Sequence, residues 1–586
     1  MNTNDACSPL RGLGRAGAIL AGVALVLGSV VASPADAQAA ILDDPGYSEN
    51  GVNEAPLLGW SSWSLQATRM EGVNTQGSYS WLNEENVLAQ AEYMAENLAE
   101  FGYEYINMDA GWWREWDWTP LYDEYGRYQT FDERFPSGME AVIEQIHDLG
   151  LKVGIYVPVG LEVGAYDNGD FPIEGSELGC STHDVVYDDL RLTNGFGAGS
   201  SYAMDFDDPC AQEYIDSLAR QYADWGVDFL KIDGVGYGSG KTPASDTVPG
   251  QYDNRDDLAA WNLAFTKAGR DVKIQISWSI DVEYIEDFQR VADSWRVSGD
   301  IECYCDTLVQ WSSDFMGPSG IVSRLQQSAD WAEYAGPDVG WNDLDSLNVG
   351  NGEMDGLTDD ERQTAMTIWS MAAAPLYIGD DITQLDEYGL ELLTNEEVIA
   401  VDQGGKPASP LGSASDTTQV WVTEHDGDTI VALYNIGEEP AVVSTDFATD
   451  LGIDRPAEVR DLWAREDLGT AQEFSAEIPA HGSRLIRVSE VEDTDPGTDP
   501  GTDPGTDPGT DPGTDPGTDP GTAPGTGGAD GADDGTGGDA SPGDAGDDSL
   551  ASTGVDILPT LLISGITLLA GAAALVVARL RRRSRG

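Results

Sequence analysis

Between residues 54 and 405, stretches with apolar residues at helical spacing alternate with short, nearly continuous apolar runs. This is the pattern of strand–helix units wound around a parallel sheet. In 83–102, Val87, Ala91, Met94 and Leu98 recur on one helical face, and Gly102 is placed to end the helix. The run 103–109 that follows reads as a buried strand. Ser137 and Glu140 have the spacing of a capping box ahead of Val142, Ile146 and Leu149, Gly150 is the terminator, and 152–157 is the next strand. Asp208 and Pro209 open a further helix that Gly226 stops, and 227–233 is again a strand. The runs 57–60, 273–277, 295–300, 339–343 and 375–380 bring the number of strands to eight. Eight strands predict an α/β fold, a closed (β/α)8 TIM barrel rather than an open sheet, and no Gly-rich phosphate fingerprint follows the first strand.

Past residue 404 the period changes. The segments 420–423, 429–434, 441–444, 457–462 and 483–488 alternate at period two with turn residues between them. They predict a small antiparallel β-sandwich over 406–490, expected to cap the barrel rather than to bind sugar.

The two ends read as address labels. Arg11 and Arg15, the apolar run 16–32, and Ala35 and Ala37 follow the order of a secretory signal peptide over 1–39, cleaved after Ala37 or Ala39. From 491 to 549 a Thr-Asp-Pro-Gly repeat passes into a Gly/Asp/Ala-rich stretch that cannot bury enough apolar surface to fold, and reads as a disordered spacer. The sequence 550–554 (Leu-Ala-Ser-Thr-Gly), an apolar stretch over 555–578 long enough to cross a bilayer, and Arg579, Arg581, Arg582, Arg583 and Arg585 complete the chain. This order over 550–586 resembles an LAxTG-type sorting signal. The resemblance implies cleavage by a sortase between Thr553 and Gly554 and covalent attachment to the cell wall, with the protein facing outward.

Charge and cysteine content narrow the field. With 30 basic and 104 acidic residues the formal net charge is −74, which excludes nucleic acid as a partner, because phosphate binding needs clustered Lys and Arg. A neutral sugar is compatible with that charge. Four cysteines remain beyond the signal peptide: Cys180 and Cys210 are a plausible bridge, whereas Cys303 and Cys305 either form a tight bridge or stay reduced. No His/Cys cluster has zinc-site spacing.

In a barrel of this kind chemistry sits where the strands end. Those ends carry Trp60, Trp63, Asp109, Trp112, Trp113, Tyr156, Lys231, Asp233, Arg296, Asp300, Asp343 and Asp345. Indole faces stack on the C–H side of a pyranose, and carboxylates accept from its hydroxyls. Glycoside cleavage needs two carboxyl groups, about 5–5.5 Å apart in a retaining enzyme. Asp233, with Lys231 two residues earlier to keep a neighbouring carboxylate ionised, and Asp300, closing the run 295–300, are the candidates. A lone aspartate at a strand end caps a helix more often than it catalyses; convergence of many such ends on one face changes the odds.

Six motifs, Leu58-Gly59-Trp60-Ser61-Ser62-Trp63, Tyr105-Ile106-Asn107-Met108-Asp109-Ala110-Gly111-Trp112, Gly154-Ile155-Tyr156, Asp224-Trp225-Gly226-Val227-Asp228, Leu230-Lys231-Ile232-Asp233-Gly234 and Gly340-Trp341-Asn342-Asp343-Leu344-Asp345, together resemble the α-galactosidases of glycoside hydrolase family 27. The resemblance implies a retaining exo-acting hydrolase of terminal α-D-galactosyl residues, with Asp233 as nucleophile and Asp300 as acid/base. It places Trp63, Asp109, Tyr156, Lys231, Arg296 and Asp345 around the sugar, and implies no metal or organic cofactor. Two positions depart from the family pattern. Ala110 stands where a second aspartate usually grips sugar hydroxyls, and Ile276-Ser277-Trp278-Ser279 replaces a Cys-Glu-Trp motif. Both bear on recognition, so an isomalto-dextranase and a β-L-arabinopyranosidase are alternatives on the same scaffold, and a non-catalytic glycan-binding surface protein is an alternative of another class. Trp113, Trp116 and Trp118 are candidate stacking platforms for a longer glycan. The oligomeric state is left open.

Overall fold

The computed structural model describes residues 55–193, 200–235, 253–313 and 318–491. The segments expected to be a signal peptide, a spacer and a sorting signal lie outside the described residues. Eight strands, β1 (Leu58–Ser61), β2 (Tyr105–Met108), β3 (Lys152–Pro158), β4 (Phe229–Asp233), β5 (Lys273–Ile276), β6 (Ser294–Arg296), β7 (Trp341–Asp343) and β8 (Leu376–Ile378), form one parallel sheet. The sheet runs from β7 through β6, β5, β4, β3, β2 and β1 to β8. The ring closes just past the end of β7, where Leu347 makes a single parallel bridge to Ile378. Leu347 N donates to Tyr377 O at 2.7 Å, and Gly379 N donates to Leu347 O at 3.0 Å. All eight expected strands are present, and the (β/α)8 class holds.

The helices that separate the strands follow their local signals. Asn83 accepts from Asn86 N to cap Glu84–Asn97, which buries Val87, Ala91 and Met94. Fully burying Val87 or Met94 contributes about 1.5–3 kcal/mol each. Gly102, at φ 100°, closes the 3-10 turn that follows. Asp208 caps Pro209–Trp225 by accepting from Cys210 N, and Gly226 ends that helix in the left-handed region. One expectation fails. Met139–Asp148 starts at Gly138 without a side-chain cap. Ser137 instead donates to Glu84, from N at 2.8 Å and from Oγ at 2.7 Å, so a long-range partner engages both the amide and the hydroxyl that a capping box would use. Leu149, expected on the apolar face, is 39% exposed past the helix end.

The C-terminal region is a two-sheet β domain. One antiparallel sheet runs Ser409–Pro410, Thr418–His425, Asp428–Asn435, Ser483–Glu490, Ala457–Asp461 and Glu466–Ala471, and Ala441–Asp446 pairs with Glu473–Ile478 in the other. Val431, Leu433, Val443, Ile478 and Ile486 fill the space between them. The domain docks on barrel helices: Trp463 Nε1 donates to Thr367 Oγ1 at 3.1 Å, and Arg460 forks onto Glu397 at 2.7 and 2.6 Å. This is the packing expected of a cap. Both cysteine pairs are bridged, Cys180 to Cys210 and Cys303 to Cys305.

Candidate active site

Side chains alternate across a strand, and β4 shows what that does to the site. Leu230 and Ile232 join the apolar layer under the helices. Phe229 faces the barrel interior, where it meets Tyr105 and Tyr377 to make an aromatic floor. Lys231 and Asp233 share that inward face, one and two steps nearer the C-terminal mouth. A small polar hollow above the floor is lined by Asn107, Lys231, Gln275, Arg296, Asp343 and Asp345.

Asp233 is held at both oxygens. Tyr156 Oη donates to Oδ2 at 2.7 Å, and Ser277 Oγ donates to Oδ1 at 2.7 Å. Burial pushes this carboxyl above its usual range, and Lys231 and the two hydroxyls offset part of that push. Lys231 does more than the expected local duty. Its Nζ donates to Asp109 Oδ2 at 2.7 Å rather than to Asp233. Burial is the largest influence and disfavours the ammonium, but Asp109, Asp345 and Asp233 together outweigh it and hold the group above the ordinary lysine range. Asp109 is 2% exposed and takes Ala110 N on its other oxygen at 2.7 Å.

Asp300 lies in the loop four residues past the last residue of β6, not at the end of a continuous strand as expected. The strand stops at Arg296, whose guanidinium donates to Asp300 Oδ1 at 2.9 Å and pairs with Asp345 Oδ2 at 2.6 Å. Tyr304 Oη donates to Asp300 Oδ2 at 2.5 Å. Burial alone raises the Asp300 carboxyl, but Arg296, the Tyr304 hydroxyl and Lys231 outweigh it and hold the group below the usual range. Glu302, buried beside Asp345 and Asp300, is pushed up to about 8, chiefly by burial and then by those two charges. Asp300, Glu302 and Asp345 bring carboxylate oxygens within 4.8 Å of one another, the one such group among the described residues, and Arg296 bonds two of the three. Lys231, two residues before Asp233 on the same strand face, and Arg296, which bonds Asp300, line the same hollow, and the charge of Asp300 adds a small upward push on Asp233.

Of the remaining expected residues, Trp63 stacks on Tyr79 at 5.3 Å and donates from Nε1 to Tyr304 Oη at 3.2 Å. Trp113 is 0% exposed and stacks behind Tyr156, 6.0 Å between rings, so it supports that tyrosine and is no platform for a glycan. Trp112 is likewise core, bonding Tyr156 O at 3.0 Å. Trp116 is engaged by Glu133 and lies under Arg134, whereas Trp118 packs on Tyr79 at 4.8 Å as part of the aromatic wall. Trp60 is buried and bonds Asp380 O, so it is structural, whereas Asp343 accepts from Asp345 N in the wall of the hollow. Sequence reasoning did not single out Tyr79, Glu302 or Tyr304, and it read Ser277 only as a departure. For Ser277 a signal existed: it follows β5 at the level where its neighbour β4 ends in Asp233.

A (β/α)8 barrel with two half-buried, differently tuned carboxyls and an aromatic wall at its C-terminal mouth defines a glycoside hydrolase. The family model described as Alpha galactosidase A matches residues 55–184 and 167–404, and that of the Alpha galactosidase C-terminal beta sandwich domain matches 415–488. The chain belongs to this family, glycoside hydrolase family 27. Alpha-galactosidase 3 of Arabidopsis thaliana is 30% identical over 452 residues, 74% of this chain and 82% of that protein. The alpha-galactosidase of Cyamopsis tetragonoloba is 29% identical over 454 residues, 75% of this chain and 87% of that protein. Among solved structures, a β-L-arabinopyranosidase of the same family from Geobacillus stearothermophilus superposes with a TM-score of 0.64 at 29% identity, covering 75% of this chain and 98% of that one.

Proposed function

We propose that the protein hydrolyses terminal α-D-galactosyl residues with retention of configuration, Asp233 acting as nucleophile and Asp300 as acid/base. The observation that carries this reading is the pair of half-buried carboxyls, Asp233 and Asp300, each with donors on both oxygens, whose neighbours Lys231 and Arg296 line one hollow. In the first step an Asp233 oxygen bonds the anomeric carbon as the bond to the leaving oxygen breaks, and Asp300 gives that oxygen its proton. In the second step Asp300 takes a proton from water, whose oxygen displaces Asp233 from the anomeric carbon. Ser277 and Tyr156 orient Asp233, Arg296 orients Asp300, and Lys231 with Asp109, Asp345 and Trp63 surrounds the sugar. Lys231, Asp109 and Asp345 carry the charge that hydrogen-bonds sugar hydroxyls.

A second reading, a β-L-arabinopyranosidase, is favoured by Ala110. That sugar shares the ring configuration of α-galactose but lacks the hydroxymethyl carbon, and Ala110 lacks the carboxylate that would hold it. Side-by-side assay of aryl α-galactoside, aryl β-L-arabinopyranoside and dextran decides between them, and turnover of the arabinoside alone overturns galactose as the substrate. Asp233→Gly supplied with azide is expected to yield a β-glycosyl azide. Wild-type turnover in Asp233→Ala removes Asp233 from its role. Glycan binding without any turnover makes the protein a lectin-like surface protein instead.

The ends of the chain support export through 1–39 and sortase attachment at Thr553, with the barrel displayed outside the wall. No helix among the described residues is long and apolar enough to cross a membrane. Mass spectrometry of the purified wall fraction tests this placement: a C-terminal peptide ending at Thr553 is expected, and chains retaining 555–586 overturn it.

A further inference from the structure

We infer that the Cys303–Cys305 disulfide is a clip that holds the Tyr304 hydroxyl on Asp300, making Tyr304 a positioning residue that governs the protonation of Asp300. The inference rests on the role proposed above for Asp300.

Tyr304 is the single residue between two bonded cysteines. Its backbone sits at φ 51°, in the left-handed region that side chains other than glycine seldom adopt unless the surroundings impose it. The small covalent ring imposes it, and both ends of the ring are tied down. Cys305 O accepts from Arg69 N at 2.7 Å and from Thr68 Oγ1 at 3.2 Å, while Cys303 N donates to Leu308 O at 3.1 Å. The result is a relay of two hydrogen bonds, Trp63 Nε1 to Tyr304 Oη and Tyr304 Oη to Asp300 Oδ2.

With Arg296 on Oδ1 and Tyr304 on Oδ2, both Asp300 oxygens face donors, an arrangement that favours the carboxylate. An incoming leaving group needs the opposite state. The groups around Asp300 are Arg296 on β6, Glu302 beside it in the same loop, Lys231 and Asp233 on β4, Asp345 past β7, and Tyr79 on the facing wall. Among these the arginine is permanently charged. Tyr304 is the neighbour whose position depends on a covalent bond that a reductant can break. A dithiol that reduces the clip gives two cysteine thiols and leaves as its own cyclic disulfide. Tyr304 then loses the constraint that aims it.

The test is the pH dependence of kcat/KM for an aryl glycoside that the full chain turns over. Asp300 is held below the usual carboxylate range and Asp233 above it, so Asp300 sets the lower inflection of the profile, the acid limb. Tyr304→Phe removes the donor, and the acid limb is expected to move up by about one pH unit. The Cys303→Ser/Cys305→Ser variant is expected to move the same limb the same way, and adding Tyr304→Phe to it is expected to move it no further. Dithiol treatment is expected to shift the wild type but not the Cys303→Ser/Cys305→Ser variant, which separates this bridge from Cys180–Cys210. Superimposable profiles for wild type and Tyr304→Phe overturn the positioning role. A shift in Tyr304→Phe with none in the cysteine variant overturns the clip. If no glycoside is turned over, the functional reading itself fails. The carbon-13 titration of the Asp300 carboxyl then still decides: a higher midpoint in Tyr304→Phe is expected, and equal midpoints overturn the inference.

Discussion

Lys231 Nζ reaches across the barrel interior to Asp109 Oδ2, 2.7 Å away, tying the middle of β4 to the residue just past the end of β2. Neither charge has water to fall back on, and removing one strands the other. Breaking such a buried pair costs about 3–5 kcal/mol. Lys231→Met is therefore expected to lower the thermal midpoint and abolish turnover, while Lys231→Met combined with Asp109→Asn recovers much of the midpoint but none of the activity. Calorimetry with a parallel glycoside assay reads both.

Tyr156 and Ser277 each donate to Asp233, and each favours its charged form. Asp233 titrates above Asp300, so the upper inflection of kcat/KM, the alkaline limb, follows this carboxyl. Tyr156→Phe and Ser277→Ala each remove a donor and raise its pKa further above the usual range, so the alkaline limb moves to higher pH. A kcat loss of roughly 10-fold to 100-fold accompanies it, in line with one charged hydrogen bond of about 1.5–3 kcal/mol. Profiles that overlay the wild type remove both residues from this role.

Several carboxyls titrate high because they are buried. Asp293 is pushed up to about 6, Asp257 to about 7 and Glu302 to about 8, burial being the largest cause in each. A carboxyl raised in the folded state binds its proton more tightly there than in the unfolded chain. The stability it contributes is full below its unfolded value, near 4, and is lost as pH rises through the folded value. The melting temperature is thus expected to fall between about pH 4 and pH 8, and Asp257→Asn is expected to flatten part of that slope. Scans at pH 5, 6, 7 and 8 check it; a midpoint that rises across this range contradicts the assignment.

The barrel was legible because its strands are buried on both faces and punctuated by glycine and Asp-Pro caps. Runs such as 152–157 and 227–233 carry that signal in their own composition. The strand Glu466–Ala471 went unread for the opposite reason: nearly every side chain on it is exposed, so no apolar alternation marks it. Ser137 misled because its amide and hydroxyl are engaged by Glu84, 53 residues away, rather than by the local helix. Asp233 could be read from its strand. Tyr304 could not, because its reach to Asp300 depends on a bridge between Cys303 and Cys305 that spacing left open. Trp113 looked like a sugar platform because a tryptophan at a strand end carries no mark of which way its ring turns.

The ring of strands is fastened at one place only by the single rung between Leu347 and Ile378. There the Asp380 carboxylate does the work of a missing ladder, its Oδ2 accepting from Val349 N at 3.0 Å and Gly350 N at 2.9 Å. A hoop held by one rivet and a side-chain latch parts at that join before it parts elsewhere. Deuterium uptake is therefore expected earliest, among the strand amides, at 341–347 and 376–378, and Asp380→Ala is expected to hasten it there while leaving β2, β3 and β4 slow.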